Sequence, residues 1–456
     1  MSNRRSRWDR LQSHYRLIRD CLEGEDAVKD QGQLYVPQPS GMTLDAYKSY
    51  LARGHFYGAP EMTLRALVGL ALRKDPVITL PPRLEPLRLS ATHDGTPLAL
   101  LIEEATREVM SMGRFGLLLD LPTEGNTPTT VPHISTFPAE SIEDFETAYV
   151  NGKKVLTRVW LSSDEQWEGS PITYELSLEQ GAVYTFRRFI RDNNKTRVNI
   201  GEEIVPTVGG RTIPFIPFLM ISHEGLRPDD VTPPFLALCK TALAHLCTSC
   251  DRRHSLHLTA APTPWIAGSV PADRVPVSIG AGTLWNLPEG CQVGMLEFQG
   301  VGVAAMKEEM DDLVNQMATL GARMLSVTQV RSESIDTATQ RTRSELALLH
   351  GVVVNVEAGL NFLLRVASQW VGADPDAAKI SLSRDFIEAS MDPKMIEAQM
   401  KLWQSGAISR QTFYENLQAG EIARADRPLE DEKDMIEEEG GDLSDVIRTF
   451  SSIAAE

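Results

Sequence analysis

A repeating apolar seam constrains this chain more than any other feature. Val303, Met306, Met310, Leu313, Met317, Leu320 and Met324 recur at alternating steps of three and four. That spacing of 3.5 puts them on one stripe of a helix, which must press against neighbouring helices. The opposite face carries Lys307, Glu308, Glu309, Asp311, Asp312, Asn315, Gln316 and Thr319. A polar break follows at residues 326–337, and the pattern then resumes to about Val371. The resumed stretch predicts a helix of roughly 50 Å if continuous, longer than the usual three or four turns. Gly351 followed by Val352-Val353-Val354 predicts a kink within it.

The segments ahead of the seam divide by period. Thr43 is an N-cap signal for helical residues 43–73, whose second helix starts at Glu61 and is stopped by Asp75-Pro76. Thr96-Pro97 opens another helix and Gly113 closes it. Strand-like alternation then takes over. Residues 115–121 predict a buried strand, and Asn151-Gly152 predicts a hairpin between 147–150 and 153–161. A second hairpin is expected from 172–178 and 182–190, turning at Gln180-Gly181, with one more strand at 215–221. Pro233-Pro234 opens a helix to about Leu258. A Pro- and Gly-rich segment, 259–302, follows with extended pieces at 263–267 and 282–287. Beyond the long helix, 379–386 reads as a strand, and Asp392-Pro393 and Ser409 each start a short helix, the second ending at Gly420. The fold class is therefore α+β.

The two ends are charged. Six arginines lie in the first 20 residues beside Trp8 and Tyr15, and residues 1–42 read as a solvated, partly helical arm. Residues 415–445 hold twelve acidic side chains against three basic ones. The net charge of −17 over 456 residues argues against a protein that coats nucleic acid, since duplex DNA presents a phosphate about every 1.7 Å. A protein that surrounds DNA without gripping it is not excluded. Five scattered cysteines fit a reducing interior rather than a disulfide framework. The N-terminus lacks the apolar core of a signal peptide, and uninterrupted apolar runs such as 67–72 and 352–354 are short. A soluble, non-exported protein is expected.

Catalytic chemistry finds little purchase. Cys247, Cys250, His254 and His257, with Cys239 upstream, are zinc-type ligands at close spacing. On one helix, however, Cys247 and His257 are separated by roughly 15 Å of rise, so a single helix cannot gather all four. Packing of small polarizable groups is the simpler reading; a site shared between subunits is the other. Gly152-Lys153 is followed by Lys154 and makes no P-loop, and no Gly-x-Ser-x-Gly or His-Glu-x-x-His occurs. Glu308, Glu309, Asp311 and Asp312 read as a solvated helix face rather than a convergent pair. No enzyme activity, metal or cofactor is expected.

The order of parts over about residues 43–420 resembles the portal proteins of tailed bacteriophages. Four strings also resemble one phage portal family: YKSYLARGHFYGAPEMTLRALVGLALRKDPVI (47–78), GRFGLLLDLP (113–122), RRHSLHLTAAPTPWIAG (252–268) and MATLGARMLS (317–326). The resemblance implies a portal-type fold: an α/β wing at 43–232, stem helices at 233–258 and 303–325, and a small mixed clip at 259–302. It also implies a tunnel loop at 326–337, a long kinked helix ending the wing at 338–390, and a short helical crown with an acidic tail at 391–456. The function implied is a head-to-tail connector ring at one capsid vertex, through which DNA is packaged and ejected.

Residue roles follow by position, as implications of that resemblance. Glu308, Glu309, Asp311, Asp312, Arg323, Gln329, Arg331, Ser332 and Glu333 would face the DNA channel. Met306, Met310, Leu313, Met317, Leu320 and Met324 would be the subunit packing seam. Pro264, Trp265, Val270, Arg274 and Trp285 would meet partners at the clip. The implied partners are further copies in a ring of about twelve, passing double-stranded DNA, a terminase motor, a head-tail adaptor, the major capsid protein and scaffold. There would be no membrane. The implied location is the virion portal vertex, assembled in the host cytoplasm. The alternatives are a metal-dependent hydrolase built on the Cys247/Cys250/His254/His257 helix, or another head-tail adaptor protein of the virion.

Overall fold

The computed structural model describes residues 2–121, 131–150, 152–179, 182–191, 197–259, 263–271, 285–296, 301–321, 335–384, 386, 393–419, 422–424 and 427–438. Helix and strand are mixed along the chain, as expected for the α+β class. The chain divides into two compact units, Met1–Arg384 and Asp385–Glu456.

The first unit opens with α1 (Ser2–Glu23) and α2 (Glu25–Asp30). Here the solvated arm is corrected. Leu11, Tyr15, Ile18 and Cys21 recur every three or four residues and are all buried, so α1 is an amphipathic core helix. Part of its positive charge is also consumed. Arg19 donates to both oxygens of Glu108 at 2.6 Å and to Glu140 at 2.8 Å. The arginine run masked the apolar stripe beneath it. Next, α3 (Leu44–Arg53) is capped by Thr43, whose hydroxyl accepts from Ala46 N at 3.3 Å. α4 (Ala59–Ala71) carries Pro60 in its first turn, where the missing N–H costs nothing. After β1 (Val77–Thr79), α5 (Leu98–Met112) ends at Gly113 with φ 86°, a left-handed cap.

Ten strands follow: β2 (Arg114–Asp120), β3 (His133–Phe137), β4 (Ile142–Val150), β5 (Lys153–Trp167), β6 (Ser170–Glu179), β7 (Val183–Arg191), β8 (Arg197–Asn199), β9 (Thr207–Val208), β10 (Arg211–Thr212) and β11 (Phe218–Ser222). β2 runs between β11 and β3, β9 pairs with β10, and β4 to β8 form an antiparallel meander in chain order. Gly152 turns the first hairpin with φ 76°; the expected turn at Gln180-Gly181 lies outside the described residues. The strand expected at 215–221 begins only after Pro217, which has no N–H to give a ladder.

Period-two alternation sorts the meander into two faces. Val159 and Leu161 of β5, Leu176 of β6 and Tyr184 of β7 join Leu118, Phe137, Phe218 and Met220 in one core. The other face is a polar network. Trp160 Nε1 donates to Glu175 at 2.9 Å, the guanidiniums of Arg158 and Arg197 lie over the Trp160 ring at 5.7 and 4.8 Å, and Arg187 pairs with Glu203 at 2.9 Å.

The chain then enters α6 (Leu236–Thr259), β12 (Thr263–Ala267), β13 (Gln292–Leu296), α7 (Val301–Thr319), α8 (Ile335–Trp370) and β14 (Lys379–Ser381). The extended piece expected at 282–287 is not a strand among the described residues. Residues 282–284 lie outside the described residues, 285–287 are not strand, and β12 pairs with 292–296, which follow a turn at Gly290 (φ 89°).

α8 organises this unit. Val352, Val353, Val356, Leu360, Leu363, Leu364 and Ala367 are buried, and the helix continues through Gly351 without a break. Packing outweighs the weak local propensity there. Leu348–Trp370 is long and apolar enough to cross a membrane, longer than the uninterrupted runs in the sequence suggested, yet more than half of it is buried within the chain. Several of its polar residues are engaged. Asn355 donates to Ser222 O and His223 O at 3.0 and 3.1 Å, and Asn361 exchanges two bonds with the Ile380 backbone at 2.8 and 2.7 Å. Leu382 N turns to Glu357 at 2.9 Å, so the strand expected at 379–386 stops at Ser381. β14 pairs antiparallel with β1.

The second unit is helical: α9 (Pro393–Gln404), α10 (Arg410–Ala419) and α11 (Leu429–Glu438). Ser409 caps α10 through a bond from Thr412 N at 3.1 Å, and Trp403 stacks on Phe413 at 5.3 Å.

Candidate functional site

The candidate site is the pair α6 and α7 with the hairpin that joins them. α6 can lie close to α3 because Gly54 has no side chain. A Cβ there would overlap the Cys250 sulfur and stand 3.2 Å from Leu246 Cδ1. Past the end of α6 the chain forms an isolated two-stranded sheet, with Thr263 paired to Leu296 and Ala267 to Gln292. This ladder brings the end of α6 beside the start of α7. The two helices pack along each other, so α7 returns antiparallel to α6. Trp265 lies across Gly294, where a Cβ would stand 2.7 Å from the indole.

Within this pair the seam has a definite partner. Leu313 and Met317 are 6% and 0% exposed, covered within one chain by the packing of α7 on α6. That much of the seam is therefore an intrachain joint. Met306 and Met310 are half-buried and Leu320 is 46% exposed, while Met324 lies outside the described residues. A 3.5-residue spacing requires a partner helix but does not say whether it belongs to the same chain.

Glu308, Glu309, Asp311 and Asp312 are all exposed and have no ion-pair partner among the described residues. At roughly 100° per residue, Glu309 borders the seam, Asp311 and Asp312 lie further round on either side of it, and Glu308 stands nearly opposite it. Arg323, Gln329, Arg331, Ser332 and Glu333 lie outside the described residues, as does Arg274. At the hairpin Pro264, Val270 and Trp285 are half-buried. Trp265, Val293 and Met295 are exposed, an unusual amount of apolar surface for two strands.

The cysteine and histidine set is spread among separate packing roles. Cys247 Sγ donates to Tyr35 O at 3.5 Å, Cys250 is buried against Gly54, and His254 sits edge-on to Tyr50 at 5.5 Å. Burial pushes the Cys250 thiol up to about 12 and raises that of Cys247 as well, which opposes the thiolate a metal would need. Burial likewise lowers the His245 pKa, assisted by His55 and opposed by Asp311. No group of three or more metal-ligating side chains occurs among the described residues.

Sequence reasoning missed one buried node. Arg114 is 1% exposed, donates to Ala139 O and Ile142 O at 2.9 Å each, pairs with Asp230 at 3.4 Å and lies 5.5 Å from the centre of the Tyr15 ring. It locks α1 to the sheets. Its only signal was a basic residue opening an otherwise apolar strand.

Residues 234–371 match a family model described as a domain of unknown function (DUF4055). The match runs from the proline ahead of α6 to one residue past α8. No curated protein matches the chain. Two solved structures are similar at 14% identity and a TM-score of 0.44, covering 87% of this chain and 98% of theirs. One is from the neck of an empty gene transfer agent particle computed with C6 symmetry, the other from the virion of the native particle.

Proposed function

We propose that this chain is a portal-type protein of a tailed phage or phage-like particle. Copies form a ring at one capsid vertex, and DNA is packaged and ejected through it. The observation that carries the reading is the antiparallel α6–α7 pair, closed by an isolated two-stranded tip, with an acidic face whose four carboxylates have no ion-pair partner among the described residues. It is joined by the family-like strings and by the order of elements. The ring role is structural and needs no catalytic residue.

A conduit must confine a duplex and still let it slide. Carboxylates on its wall repel phosphate, and each pair in water at about 4 Å contributes about 1 kcal/mol of repulsion. Screening over about 8–10 Å confines the effect to the wall. Of the quartet, Glu308 faces most directly away from the seam and lines the lumen, with Asp311 and Asp312 flanking it. The exposed Trp265, Val293 and Met295 at the tip are the surface for the packaging motor and later the adaptor, with residues 326–337 nearest the moving DNA.

The expected result for Glu308→Gln with Asp311→Asn is an assembled ring whose packaging is slowed about threefold or more, because DNA adheres to the wall. Packaging rate and DNA retention in particles carrying the variant are the readouts. Unchanged values for both would remove the wall from the mechanism.

A further inference from the structure

Two thiols are buried against each other where α1 packs on α6. Cys21 lies in the last turn of α1 and Cys239 in the first turn of α6, and both are 0% exposed. They stand 218 positions apart in the chain. Cys21 Sγ donates to Cys239 O at 3.9 Å, and the Cys239 thiol is hydrogen-bonded to that of Cys21. That bond, with burial, pushes the Cys239 thiol well above its usual range. The other cysteines have no such arrangement. Cys247 and Cys250 engage Tyr35 O and Gly54 separately, and Cys291 packs beside Gly268.

We propose that Cys21 and Cys239 are a redox pair that closes to a disulfide when the protein meets a peroxide, stapling α1 to α6. The pair stands whether or not copies of the chain form a ring. One thiolate attacks a peroxide oxygen and the O–O bond breaks, leaving a sulfenic acid, while the hydroxide takes up the thiol's proton as water. The second thiol attacks the sulfenic sulfur, the S–O bond breaks, and a second water leaves. Two thiols and one hydrogen peroxide thus give one disulfide and two waters; the sulfurs are oxidised and the peroxide is reduced. Sulfurs already in contact have only to close to about 2.05 Å. Burial selects the oxidant, because a bulky disulfide such as oxidised glutathione has no line of attack on either sulfur. It also makes closure slow, since a buried thiol supplies little thiolate. The bond would tie together parts that otherwise meet by packing alone. Arg19 and Arg114 already fasten α1 to Glu108, Glu140 and the sheets, and the staple adds α6, the helix that carries the candidate site. Closing so long a loop removes freedom from the unfolded chain, so the oxidised form melts higher.

Peptide mapping of the full chain tests the pair. The reduced protein is treated with hydrogen peroxide, its remaining thiols are alkylated under denaturing conditions, and it is digested without reductant. The peptides carrying Cys21 and Cys239 are expected to be recovered joined, lighter by two hydrogens than their sum, and to separate on treatment with dithiothreitol. The oxidised protein is expected to melt about 5 °C or more above the reduced one. Cys21→Ala and Cys239→Ala each abolish both the link and the shift; if either variant fails to fold, the wild-type map alone decides. The half-buried Cys291 is the internal reference for exposure to the oxidant. Cys21 and Cys239 recovered as free thiols after Cys291 has been oxidised, or as separate sulfinic acids, would overturn the pair. A linked pair with an unchanged melting temperature would overturn the staple.

Discussion

Arg114→Leu is expected to destabilise the first unit by about 2–5 kcal/mol, chiefly by taking the donor from two buried carbonyls. The side chain is among the largest fully buried ones in the protein. Leucine fills much of its volume but takes this donor from Ala139 O and Ile142 O and this cation from Asp230. Each buried acceptor left unsatisfied costs about 1–3 kcal/mol. Arg114→Lys recovers part of the loss, because an ammonium cannot reach both carbonyls and Asp230 with the fork of a guanidinium. Urea unfolding followed by circular dichroism measures both. A leucine variant within about 0.5 kcal/mol of wild type, the range of an ordinary surface substitution, would show that the node does not hold α1 to the sheets.

Gly359→Val addresses the other joint of the same unit, where α8 crosses β11. A Cβ at Gly359 would stand 2.6 and 2.8 Å from Ile221 Cδ1 and Cγ1, and 3.2 Å from Leu219 Cδ2. Two further methyls make the overlap worse, so helix and strand must separate. Overpacking of this kind costs about 1–3 kcal/mol. The gain from removing glycine in a helix, at most about 1 kcal/mol, does not offset it, and valine recovers less than alanine would. Gly359→Ala is the milder control, expected to fall between wild type and valine. Equal melting temperatures for all three would mean that the contact relaxes freely.

Local chemistry was the legible part of this fold. Thr43, Gly113, Gly152 and Ser409 each act where their side chains or backbone freedom predict, because caps and turns are settled within a few residues. Features that depend on distant partners were not legible. The stripe of Leu11, Tyr15, Ile18 and Cys21 was hidden by the arginines around it. The strand at 292–296 that pairs with β12 was not foreseen, because a turn near Gly290 has no fixed signature of length. In the candidate site, the periodicity correctly left Glu308, Glu309, Asp311 and Asp312 exposed. It could not assign Leu313 and Met317 to a partner within the same chain. Spacing defines a face, whereas its partner is decided by the path of the rest of the chain.

Copies of this chain are proposed to build a ring with an open channel. Negative-stain imaging of the full-length protein, combined with native mass measurement, tests it most directly. Closed rings of one defined subunit number, with a central hole wide enough for a DNA duplex, are the expected result. A monomer under every concentration and salt condition, with no ring in particles from producing cells, would contradict it.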